Sequence, residues 1–267
     1  MSTLMDLQQR VLEGGKLATL TCYDASFASK LESAGIDAML VGDTLGMVLQ
    51  GQASTLPVSL ADIVYHTAAV ARGAHHTFII ADLPFGSYQT SPAQAFESAA
   101  QLLAAGAHCV KLEGGAIMAD TVAFLTARGI PVCAHLGLLP QSVHTLGGYK
   151  VQARSEDTAQ QLLNDAAQLE QCGAGMVVLE AIPAPLAAQV TAQLHIPTIG
   201  IGAGIACDGQ VLVLYDMLGI TPGHTPKFSK NFMTEGRDID AAINQYIHEV
   251  KHHLFPTNAH SFGIKSA

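Results

Sequence analysis

Residues 77–115, TFIIADLPFGSYQTSPAQAFESAAQLLAAGAHCVKLEGG, hold one full turn of the pattern that decides the fold. The apolar run TFIIADLPF carries Asp82 where its alternation ends. Ser91 and Pro92 then open a helical pattern, a capping serine followed by a first-turn proline, which closes at AAGA on a glycine suited to the left-handed exit of a helix. The next run, HCVKLEGG, again ends in polar residues, Lys111 and Glu113. Strand, loop, helix, strand is the repeating unit of a parallel sheet.

The same alternation extends in both directions. LATLTCYD, AMLVGD, PVCAHLG, MVVLEAI, IPTIGIGAG and VLVLYD bring the count of strand candidates to eight, with helical patterns between most of them. An eight-stranded barrel and an open doubly wound sheet both fit that alternation. Length, strand count and the lack of a dinucleotide fingerprint after the first run favour the barrel. So do the polar residues at the run ends: Asp24, Asp43, Asp82, Lys111 with Glu113, His135, Glu180 and Asp216. A closed barrel brings all such ends to one mouth, whereas an open sheet strings them along an edge. The expectation is a single-domain (β/α)8 TIM barrel over residues 1–267, its core at about 17–226, with an extra C-terminal helical segment from 227 to 267.

Composition narrows the function. The chain has 267 residues, 49% apolar and 13% charged, with 13 basic against 22 acidic residues and a formal charge of −9. No basic run offers the phosphate neutralisation that nucleic-acid binding needs. The longest stretch without Asp, Glu, Lys or Arg, residues 181–207, is broken by Pro183, Pro185 and Pro197, so it does not read as a membrane span. The first helical pattern, with Asp6, Arg10, Glu13 and Lys16, does not read as a secretion signal. Five cysteines without a CxxC motif suit buried thiols in a reducing compartment, and hence a cytoplasmic protein. Sparse charge also points to surface covered by other subunits.

Strand parity groups the polar residues. Asp82 shares a face with Ile80 and Phe78, Glu113 with Lys111 and Cys109, Glu180 with Val178 and Met176, and Asp43 with Val41 and Met39. Four carboxylates and one lysine at a mouth need a cation, and hard oxygen ligands with few histidines suit Mg²⁺. Plainer roles compete at each position. Asp24 and Asp216 read equally as helix caps, Lys111 as a structural partner of Glu113, and His135 as a hydrogen-bonded core histidine. The GIGAG segment at 200–204 suits either a phosphate or a close backbone contact.

VGDTLGMVLQG, STLPVSLADIVYHTAAVARG, IADLPFGSY, VKLEGG, VCAHLGLLPQSV, GGYKVQAR, VLEAIP, IGIGAG, DGQVLVLYDMLGI and KFSKNF occur in this order. From about residue 17 to 233 the chain resembles the ketopantoate hydroxymethyltransferase family, barrels of the phosphoenolpyruvate/pyruvate superfamily. The resemblance implies an Mg²⁺-dependent decamer. It also implies transfer of a hydroxymethyl group from 5,10-methylenetetrahydrofolate to α-ketoisovalerate in pantothenate synthesis. Carried over by motif, Asp43 and Asp82 resemble the metal ligands and Glu113 the third acid of the metal site. Asp43 with Thr44 is similar to the pair that contacts the oxoacid, with Asp82 beside them. Lys111 resembles the residue that reaches the substrate carboxylate, Glu180 resembles the proton acceptor, and His135 is a further substrate-binding candidate. Thr44 stands where many of the family have Ser, which keeps the hydroxyl and adds a methyl. A lyase or phosphonomutase on the same barrel would need more basic residues near its strand ends. A non-catalytic oxoacid binder would have no use for Glu180.

Overall fold

The computed structural model describes every residue except Met1, His224, Glu235 and residues 264–267. Eight parallel strands close into a barrel in chain order. They are β1 (Leu17–Thr21), β2 (Ala38–Val41), β3 (Phe78–Asp82), β4 (Cys109–Glu113), β5 (Val132–Gly137), β6 (Met176–Glu180), β7 (Thr198–Ile201) and β8 (Gly209–Leu212). Around them lie α1 (Leu4–Leu12), α2 (Ala25–Ser33), α3 (Leu45–Val48), α4 (Leu60–Gly73), α5 (Pro92–Ala104) and α6 (Ala119–Thr126). The remaining helices are α7 (Val143–Leu146), α8 (Glu156–Gln171), α9 (Ala184–Gln193), α10 (Leu214–Met217) and α11 (Ile239–Lys251). The architecture is the expected (β/α)8 barrel.

Alternation along each strand divides the apolar residues between two layers. Leu17, Leu40, Phe78, Ile80, Cys109, Cys133, Met176, Val178, Ile199, Ile201 and Val211 fill the barrel. The opposite parity, including Met39, Val41, Ile79, Val110 and Val177, packs under the helices. Helix α1, closed by a Thr3–Asp6 capping box, lays Leu7 into the inner layer and so stoppers the N-terminal end of the barrel. The opposite end is left as the open mouth.

One departure from the sequence reading occurs near the C-terminus. The run VLVLYD is not one strand: β8 ends at Leu212, and Leu214–Met217 form α10. The chain leaves the ladder there because the Leu214 N–H donates to the Thr21 hydroxyl, 2.9 Å away, and one helical turn buries Leu214 and Met217. Asp216 therefore lies in a short helix and accepts a hydrogen bond from Thr221, rather than standing at a strand end. Beyond 227 the expected C-terminal helix is present as α11. Tyr246 of α11 is fully buried, and its hydroxyl donates to the carbonyls of Thr19 and Gln210, which lie on β1 and β8. Helix α11 thus covers the seam between β1 and β8 where the barrel closes, whereas no helix lies between β7 and β8 among the described residues.

Candidate active site

The barrel delivers the inward residues of neighbouring strands side by side. Asp82 on β3 is in register with Lys111 on β4, Glu113 with His135 on β5, and Gly137 with Glu180 on β6. Asp82, Lys111, Glu113, His135 and Glu180, with Asp43 and Thr44, line one cleft that encloses about 430 Å³ of space, open solvent included. Gly137 has a positive φ of 96°, and a Cβ there would overlap the Glu180 carbonyl, so this glycine lets the ends of β5 and β6 approach.

Asp43 arrives by another route. Its parity partners Met39 and Val41 belong to the outer layer, so an unbroken strand would aim it at the helices. The strand stops at Val41 instead, and Gly42 turns the chain. A Cβ on Gly42 would sit 3.1 Å from Thr44 Oγ1 and 3.5 Å from Asp82 Oδ2. The Asp43 N–H then donates to Asp82 Oδ2 at 3.0 Å, which brings the two acids together. Thr44 Oγ1 meets the hydroxyl of the buried Tyr23 at 2.9 Å.

Three buried carboxylates, Asp43, Asp82 and Glu113, share the single ammonium of Lys111. Its Nζ lies 3.0 Å from Asp82 Oδ1, so its ion-pair partner is Asp82 and not Glu113. Burial alone would push the lysine down, but Asp82, Glu113 and Asp43 together hold it above the ordinary lysine range. Burial, reinforced by the charges of Asp82 and Glu113, holds the Asp43 carboxyl well above the usual carboxylate range. Burial likewise raises Asp82, against the pull of Lys111. The site is short of positive charge.

His135 is both buried and part of the cleft. Its Nδ1 lies 3.4 Å from Lys111 Nζ and 3.6 Å from Glu113 Oε1, and its Nε2 lies 3.2 Å from Glu180 Oε2, off the line of a hydrogen bond. Burial and Lys111 push its pKa down, but Glu113 and Glu180 outweigh them and it stands above the usual histidine value. Glu180 is the open member of the group: its side chain is 14% exposed, against 3% for Asp82.

Sequence reasoning gives no role to Gln141, which joins the acids. Its Nε2 donates to Asp43 Oδ2 at 2.8 Å and its backbone N–H to Glu113 Oε2 at 3.0 Å. Tyr88 holds it in turn, donating to Gln141 Oε1 at 2.7 Å, while the Glu113 N–H donates to the Tyr88 oxygen. Both lie in quoted motifs, IADLPFGSY and VCAHLGLLPQSV, but no local signal marks a glutamine whose partners are 28 and 98 residues away. Asp24 stays outside the cleft and caps α2 through the N–H groups of Ser26 and Phe27. The glycines of 200–204 are filled by neighbours. A Cβ at Gly202 would meet Phe228 and Phe262, and one at Gly204 would meet Ala184, so this turn serves close packing.

The donor set suits a hard divalent cation. Glu113 Oε1 is buried and accepts no hydrogen bond, Asp82 Oδ1 has the Lys111 ammonium beside it, and the acids outnumber that one ammonium. Among the described residues, no three His, Cys, Asp or Glu side chains converge as a ready ligand cage. Mg²⁺ needs none, because it is usually held by one or two carboxylates and keeps water and substrate oxygens for the rest.

Comparison with known proteins bears on this geometry. Among solved structures, the chain is similar to a phosphonopyruvate hydrolase, with TM-score 0.61, 15% identity and 80% of each chain covered. It is also similar to a 2,3-dimethylmalate lyase of the PEP mutase/isocitrate lyase superfamily, with TM-score 0.57, 18% identity, and 82% of this chain and 81% of that one covered. At such identities the likeness shows the fold alone. Sequence relatives are much nearer. The 3-methyl-2-oxobutanoate hydroxymethyltransferase of Thiobacillus denitrificans is 62% identical over 98% of both chains. The enzyme of that name from Neisseria meningitidis is 57% identical over 98% of this chain and 99% of its own. The family model for ketopantoate hydroxymethyltransferase matches residues 1–258. The chain belongs to the ketopantoate hydroxymethyltransferase family.

Proposed function

We propose that this chain transfers a hydroxymethyl group to 3-methyl-2-oxobutanoate (α-ketoisovalerate), giving ketopantoate, the first committed step of pantothenate and coenzyme A synthesis. The donor is 5,10-methylenetetrahydrofolate and the metal is Mg²⁺. Family membership supports the reaction. The observation that carries the mechanism is one partly open carboxylate, Glu180, at the rim of a cleft whose other acids are buried.

Asp43 and Asp82 would hold the metal, with Glu113 as the third acid beside them. Bound there, Mg²⁺ would offset the excess of carboxylates and supply positive charge toward the keto oxygen. Lys111 and Thr44 orient the oxoacid, Lys111 by charge on the carboxylate and Thr44 by its hydroxyl. Glu180 accepts the C3 proton, and His135, against its far oxygen, steadies the carboxylate while it is charged. C3 then bonds to the methylene carbon that bridges two nitrogens of the folate. Both C–N bonds break, water supplies the hydroxyl oxygen, and the protons from C3 and from water end on the two nitrogens, leaving ketopantoate and tetrahydrofolate. The folate must sit over the mouth because the floor is filled by side chains. Exchange of the C3 hydrogens of α-ketoisovalerate with deuterated solvent, without folate, tests metal, base and substrate together. Exchange that needs both Mg²⁺ and Glu180 supports this reading, and exchange indifferent to either overturns it.

Cytoplasmic location is supported by five unpaired cysteines, four of them buried. No helix among the described residues is long and apolar enough to cross a membrane. Contacts between subunits are supported by the sparse charge and by the exposed Met5, Leu12, Tyr65 and Ile117, and the family resemblance implies a homodecamer. A stable monomer in sedimentation at micromolar concentration would contradict it.

A further inference from the structure

Each of the three buried acids has one oxygen tied by an uncharged donor. Asp43 Oδ2 is held by Gln141 Nε2, Asp82 Oδ2 by the Asp43 N–H, and Glu113 Oε2 by the Gln141 N–H. The opposite oxygens of Asp82 and Glu113 are buried and accept no hydrogen bond, although the Lys111 ammonium lies beside Asp82 Oδ1. Gln141 supplies two of the three ties and is only 5% exposed. The orientation of its amide is fixed by four partners. Nε2 also donates to the Leu83 carbonyl at 3.0 Å, while Oε1 accepts from Tyr88 at 2.7 Å and from Gln89 Nε2 at 3.2 Å. Turned over, Oε1 would oppose a carboxylate and a carbonyl, and the amide nitrogen would face the Gln89 donor.

A carboxylate oxygen that accepts one hydrogen bond keeps a second lone pair, but the donor beside it hinders a cation from taking both oxygens at once, so the other oxygen is the better single ligand. Mg²⁺ demands near-octahedral geometry and takes single oxygens, whereas Ca²⁺ accepts six to eight and readily uses both oxygens of a carboxylate. We propose that Gln141 is a positioning residue that keeps Asp43 a one-oxygen ligand and so makes the site prefer Mg²⁺ over Ca²⁺. The inference rests on the metal reading above. It concerns the choice of ion, which a purely structural glutamine would not affect.

The test is calorimetric titration of MgCl₂ and CaCl₂ separately into the purified full-length chain, wild type and Gln141→Met. Methionine keeps length and volume and leaves the backbone N–H on Glu113, so the change at the acids is the release of Asp43 Oδ2. Mg²⁺ affinity should fall by about 10–100-fold, as it does when other outer partners of metal ligands are removed. Ca²⁺ affinity should fall much less, so that the preference for Mg²⁺ drops by about tenfold or more. Tyr88→Phe, which keeps the ring and removes the hydroxyl bound to Oε1, should shift the preference the same way by less, and serves if Gln141→Met does not fold. Equal losses for both ions, or an unchanged ratio in the variants, overturn the inference and leave the metal site standing. A wild-type chain that binds neither ion overturns the metal reading itself and the inference with it.

Discussion

His135 Nε2 stands 3.2 Å from Glu180 Oε2, while Nδ1 of the same ring faces the Lys111 ammonium at 3.4 Å. An ammonium has only hydrogens to offer, so in the neutral ring Nδ1 is the acceptor and the proton sits on Nε2, toward Glu180. The lysine beside the buried acids therefore also sets which side of the histidine faces Glu180. The sequence offers His135 both as a core histidine and as a site candidate, and the structure makes it buried and part of the cleft.

Glu180→Gln separates the base from the metal ligands. The amide keeps the volume of the side chain and leaves Asp43, Asp82 and Lys111 untouched. Mg²⁺ and α-ketoisovalerate should bind with near-normal affinity, while C3 exchange and overall transfer fall together by roughly 10²–10⁴-fold. Loss of substrate binding with normal residual exchange would make Glu180 a ligand or a structural residue, and His135 would be the next base to test.

Asp43→Asn and Asp82→Asn should each fold and each lose Mg²⁺ affinity and turnover together, by about tenfold or more. In Asp43→Asn the new amide also faces Gln141 Nε2, so its orientation is contested there, whereas Asp82→Asn weakens the pair with Lys111. Full activity of either variant in the presence of chelator would exclude it as a ligand.

Much of this is legible in the sequence because barrel strands alternate strictly. Asp82, Glu113 and Glu180 follow the parity of Phe78, Cys109 and Met176, all of which face the barrel interior. Asp43 stands out by its position at a run end, but its parity points the wrong way, because Gly42 ends the alternation one residue early. Asp216 misleads for a related reason: a run of apolar residues cannot show where a ladder gives way to a helical turn. Gln141 and Tyr88 are invisible because a hydrogen-bonding role between distant loops leaves no periodicity. The outer position of α11 is hidden too, since it depends on the seam between β1 and β8 that only the closed barrel forms.

Lys111→Met tests the balance of charge. Removing the one ammonium leaves three buried carboxylates with no fixed positive charge beside them, only His135 near Glu113 being able to take up a proton, and breaking a buried pair in this way costs about 3–5 kcal/mol. Protonation of Asp43, already raised by burial and its acidic neighbours, recovers part of that loss. Chemical unfolding should show the destabilisation at neutral pH, and saturating Mg²⁺ should restore more stability to the variant than to wild type. Equal stabilisation of both by Mg²⁺ would mean that the metal and the lysine do not oppose the same charges.

Glu32 offers a pH test away from the site. At the end of α2 its carboxylate accepts the N–H groups of His75, His76 and Thr77, at 2.7 to 3.1 Å, and the Thr77 hydroxyl at 3.1 Å, fixing the turn that leads into β3. Burial alone would raise its pKa, but the donors from His76, His75 and Thr77 outweigh it and bring the group from an ordinary 4.5 down to about 2. A carboxylate lowered on folding stabilises fully above its unfolded pKa, and that contribution is lost as pH falls through the folded value. Glu32→Gln should therefore be less stable than wild type at pH 7, by about 1–2 kcal/mol, the low end for charged hydrogen bonds on a partly solvated group. The gap should hold down to about pH 5 and close between about pH 4.5 and 2, as wild type takes up the proton. Urea unfolding of both proteins at several pH values checks this. A gap that stays constant or widens in acid would mean that the Glu32 charge does not hold the turn.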